Sequence, residues 1–115
     1  MRITLILLIF ILGSCALFDK RLVDAKNYIE AHKYEEAIEL LESYQGSDAA
    51  QKLLAEAYLG SGIATLKNLS LPQYNRYQIC KEKFAKAVDT DPHSVRARDY
   101  YQMIIKTIDS AEAKV

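Results

Sequence analysis

Apolar residues fall into two regimes along the chain. Through the first eighteen positions they form a dense block: Ile3 to Leu12 is broken only by Thr4, and Gly13, Ser14 and Cys15 follow. Beyond it, apolar residues recur every three or four positions, the spacing of helices with one buried face. Leu22, Ala25, Tyr28 and Ile29 predict a first helix over 19–31. Tyr34, Ala37, Ile38, Leu41 and Tyr44 predict a second over 34–44, and Leu53, Leu54, Ala57 and Tyr58 a third over 49–59. Gly60-Ser61-Gly62 is expected to break or bend the third, with Ile63, Leu66 and Leu69 carrying helical spacing onward to Leu69. A fourth helix is predicted over 73–90, with Tyr77, Cys80, Phe84, Ala87 and Val88 inward. A fifth runs from Val95 to about Ala111, with Tyr101, Ile104, Ile105 and Ile108 inward.

Residues with special backbone roles mark the boundaries. His32-Lys33 reads as a short turn. Gly46 suits a helix C-terminal cap, and Ser47 or Asp48 an N-cap for the third helix. Ser70-Leu71-Pro72 stops one helix, and Pro72 can open the next. Pro92 disfavours helix at Asp91, and Ser94 can cap the fifth helix. Ala25, Ala37, Ala55 and Ala87 fall where paired helices cross, because larger side chains would push the axes beyond the usual 8–10 Å. The expected fold class is all-α, with antiparallel helix pairs.

The leading block has the order of a secretory signal: a positive end at Arg2, an apolar stretch, then small residues. It falls short of the roughly 20 apolar residues of a spanning helix. Leu12-Gly13-Ser14-Cys15 resembles a bacterial lipobox. The resemblance implies that residues 1–14 are cleaved, that the Cys15 thiol carries a diacylglyceryl group, and that the new amine is acylated. Residues 15–18 are then a lipidated tether and 19–115 the helical domain. Two or more acyl chains give stable anchoring. Ala16 stands where lipoproteins kept at the inner membrane often carry Asp. By the same resemblance, sorting favours the outer membrane, facing the periplasm.

Composition narrows the partners. Of 115 residues, 15 are basic and 15 acidic, which leaves no electrostatic footprint for nucleic acid. With Cys15 lipidated, Cys80 is a lone thiol, read as a small buried hydrophobe; a Cys15–Cys80 disulfide would compete with lipidation.

Ala25-x-x-Tyr28, Tyr34-Glu35-Glu36-Ala37-Ile38 and Leu41 make one copy of a pattern. Leu54-Ala55-x-x-Tyr58, Cys80-x-x-x-Phe84-x-x-Ala87 and Asp91-Pro92 make another. The two resemble tetratricopeptide repeats, whose period is about 34 residues. The resemblance covers roughly 18–94 and implies a short stacked array with a capping helix from Val95. The first copy lacks the terminal Pro and has Tyr44 where the family usually has Ala. The second holds extra residues between its helices, around 63–73. Two copies fall below the roughly three that such arrays need, which points to a partner or to self-association as a homo-oligomer. Ile63, Leu66, Leu69 and Leu71 either lengthen the helix pair or form an exposed docking patch.

No catalytic set stands out. His32 and His93 lie at turns without metal-ligand spacing, and Glu35, Glu36, Glu39 and Glu42 fit the wet face of a helix. Gly60-Ser61-Gly62 is too short for a phosphate loop, and Asn68-Leu69-Ser70 matches a glycosylation sequon by pattern alone. The reading is therefore a non-enzyme without cofactor or metal. By resemblance, the first helix of each pair presents a concave face to a peptide or protein. Here that face would carry Lys26, Ile29, Lys52, Glu56 and Leu59, with Arg96 and Met103 from the cap. The expected function is a lipid-anchored adaptor in an envelope assembly complex. The alternative is a small-ligand or solute-binding accessory subunit of a transporter, favoured by an apolar groove near the insertion.

Overall fold

A computed structural model of the chain describes residues 19–44 and 47–113. Cys15, the cleavage segment 1–14 and Gly46 lie outside the described residues. The described chain is all-helical. It comprises α1 (Lys20–Glu30), α2 (Tyr34–Glu42), α3 (Asp48–Leu66), α4 (Gln73–Thr90) and α5 (Val95–Ala113). Each helix packs against its neighbour in sequence, and α1 also packs against α3. Connections as short as 31–33 and 91–94 turn the chain straight back, so successive helices run antiparallel.

Capping sets most of the boundaries. Asp19 accepts from the Arg21 amide at 3.0 Å, and Ser47 accepts from the Ala50 amide at 3.4 Å. Ser94 accepts from the Ala97 amide at 3.2 Å. The α1–α2 turn needs a left-handed residue, and His32 supplies it at φ 60°. His32 N–H then reaches the Ile29 carbonyl at 3.0 Å, and Lys33 N–H the Tyr28 carbonyl at 2.8 Å. These paired bonds satisfy carbonyls that a helix end leaves open. Glu35 and Glu36 occupy the first turn of α2, where negative charge complements the helix dipole.

The core runs through all five helices. Ala25, Ala37, Ala57, Cys80, Phe84, Ala87 and Ile104 are fully enclosed. Small side chains at these crossings let Phe84 and Leu41 fill the space between helices, as the spacing predicts. Tyr28 departs from that expectation: it is 36% exposed and contributes little to the core. Phe84 meets Tyr100 of α5 with ring centroids 5.4 Å apart, which ties the last helix to the array.

The third helix corrects a prediction. Gly60, Ser61 and Gly62 neither break nor end it; α3 is continuous from Asp48 to Leu66. A Cβ at Gly60 would run into the Tyr34 ring, and one at Gly62 into the Phe84 ring. The glycines therefore serve close approach by α2 and α4 rather than flexibility. The added length answers the question of the 63–73 segment. Ile63 and Leu66 extend α3 and pack on the core, and Leu69 stands 80% exposed in the turn beyond. With 19 residues in α3 and 9 in α2, α3 runs about 15 Å longer at 1.5 Å per residue.

Candidate functional surface

Five of the seven residues expected on a partner-binding face are exposed: Lys26 on α1, Lys52 and Glu56 on α3, Arg96 and Met103 on α5. Ile29 is half-buried and packs against the core. Leu59 must be corrected, because it is 3% exposed and belongs to the core. Enclosed in the core, it offers no surface to a partner. Helices α1 and α3 are in contact; Lys26 and Ile29 lie on the first, Lys52 and Glu56 on the second. Arg96 and Met103 share one face of α5, seven residues apart. The Arg96 guanidinium sits 5.8 Å from the Tyr100 ring centroid, which steadies its long side chain.

A polar seam that spacing alone did not reveal joins the helices. Ser61 is buried and donates to Glu35 Oε1 at 2.6 Å. Lys83 Nζ lies 3.6 Å from Glu35 Oε2. Tyr58 donates to Glu42, and the ammonium groups of Lys83 and Lys86 approach the Tyr58 ring face at 6.0 and 5.7 Å. Glu35 and Glu42, seven residues apart on α2, thus both reach α3, rather than only facing water as their pattern implied. Burial, followed by the hydrogen bond to Glu42, holds the Tyr58 phenol well above its ordinary range. The seam links α2, α3 and α4 in one register.

A second cluster fastens the start of the domain. Asp19 and Arg21 pair at 3.3 Å, and the Arg21 guanidinium lies 4.3 Å from the Tyr44 ring centroid. The Arg21 amide bond is the main reason the Asp19 carboxyl titrates below its usual value. Tyr44, just beyond α2, therefore links that segment to the beginning of α1.

Two depressions mark the surface. The larger, about 690 Å³, lies between the first turns of α4 and the last turns of α5. Tyr74, Tyr77 and Ile108 line it among Gln78, Lys106 and Glu112, and it is open along one side. The smaller, about 390 Å³, lies where α3 passes the α1–α2 turn, bordered by Tyr34, Glu36, Ser61 and Thr65. There His32 Nδ1 and the Tyr34 hydroxyl are 2.7 Å apart. Among the described residues no group of three or more His, Cys, Asp or Glu is placed to hold a metal ion. His32 and His93 both occupy turns, as expected.

Cys80 is fully buried on α4, with its thiol 3.2 Å from the Gly62 carbonyl. Burial pushes that thiol up to about 11, so it is neutral and unreactive near pH 7. No helix among the described residues is long and apolar enough to cross a membrane.

No protein-family model, no curated protein and no solved structure matches this chain.

Proposed function

We propose that the protein is a lipid-anchored, periplasm-facing adaptor whose tetratricopeptide-like array holds a protein or peptide partner at the cell envelope. The observation that carries the reading is the stacking of α1 directly against α3. First helices lying side by side would share an outer face, and Lys26 on α1 and Lys52 and Glu56 on α3 are exposed. Buried Ala25, Ala37, Ala55 and Ala87 at the crossings support the resemblance to that repeat family.

Anchoring rests on the lipobox-like Leu12-Gly13-Ser14-Cys15. The domain begins at Asp19, only four residues beyond Cys15. An extended tether of that length reaches about 14 Å, so the helical face works close to the bilayer, with the outer membrane the favoured site. The larger groove bears on the alternative of a small-ligand subunit. Ligand pockets enclose most of their guest in a mainly apolar lining. This groove has an apolar floor but is open along one side and encloses no guest, which favours the adaptor.

Site-specific photo-crosslinking on the membrane-attached protein tests the reading. A photoreactive residue at Lys52 or Lys26 should give one discrete protein adduct, and one at Lys81, exposed on α4, should not. Equal labelling from Lys81, or no adduct from either first-helix position, would contradict the assigned face.

A further inference from the structure

We draw no further inference here: the strongest candidate, the open groove between the first turns of α4 and the last turns of α5, where Tyr74, Tyr77 and Ile108 meet Lys106 and Glu112, is an unpartnered face, and nothing in the structure shows what covers it.

Discussion

At the scale of single residues, two glycines decide how closely the helices meet. Glycine within a helix costs roughly 1 kcal/mol relative to alanine, so Gly60 and Gly62 are retained against local preference. Their partners differ in freedom. Phe84 is fully enclosed and cannot swing away from a new methyl group, whereas Tyr34 lies half-buried at the edge of the core. Gly62→Ala should therefore destabilise the fold, since overpacking typically costs about 1–3 kcal/mol and outweighs the gain in propensity. Gly60→Ala should sit near neutral; urea unfolding of the two variants gives the comparison. Tyr58 offers a pH test. Its folded-state titration lies above the ordinary value of 10.0, so the neutral phenol is favoured in the folded protein. The stability linked to it is complete below pH 10 and declines as pH rises further. Tyr58→Phe should lower stability at pH 7 by about 1 kcal/mol and show a shallower alkaline decline than the wild type. Identical alkaline slopes in the two proteins would refute the linkage.

Among the elements, alanines and the cysteine at crossing points set the spacing. Ala87 is enclosed between helices and Ala64 faces solvent on α3. Ala87→Leu should cost about 1–3 kcal/mol by forcing the packed helices apart, while Ala64→Leu should stay within about 0.5 kcal/mol; thermal unfolding separates them. The elements themselves were largely legible in the sequence. Three- and four-residue spacing placed all five helices, and Ser47, Pro72 and Ser94 marked starts correctly. The exception was α3. Gly60-Ser61-Gly62 looks like a breaker because local propensity is all that a short window reveals. What holds the helix together there is tertiary: the Tyr34 and Phe84 rings occupy the space that side chains would need. The same limit explains Leu59. Helical spacing assigns a residue to a stripe, but a helix in contact with two or three others buries more than one stripe, and α3 is packed by α1, α2 and α4.

For the whole molecule, the helical array was more legible in the sequence than the contacts that hold it together. Ala25, Ala37, Ala55 and Ala87 are buried where crossings were expected, and Cys80 is a buried small residue, whereas Tyr28 is exposed. The seam of Glu35, Glu42, Tyr58, Ser61 and Lys83 was not legible, because its partners come from three helices and share no spacing. A pair of acids seven residues apart on α2 was the only local trace of it. Of the residues proposed for a partner face, the charged ones are exposed, as their polar stripe implies, whereas Leu59 is buried. The central claim is that these surfaces work at a membrane through lipid on Cys15. Mass spectrometry of the mature N-terminus, from protein recovered in the membrane fraction, tests it most directly. The expected product has lost residues 1–14 and begins with an acylated Cys15; a soluble product with Cys15 unmodified would overturn the proposed anchoring.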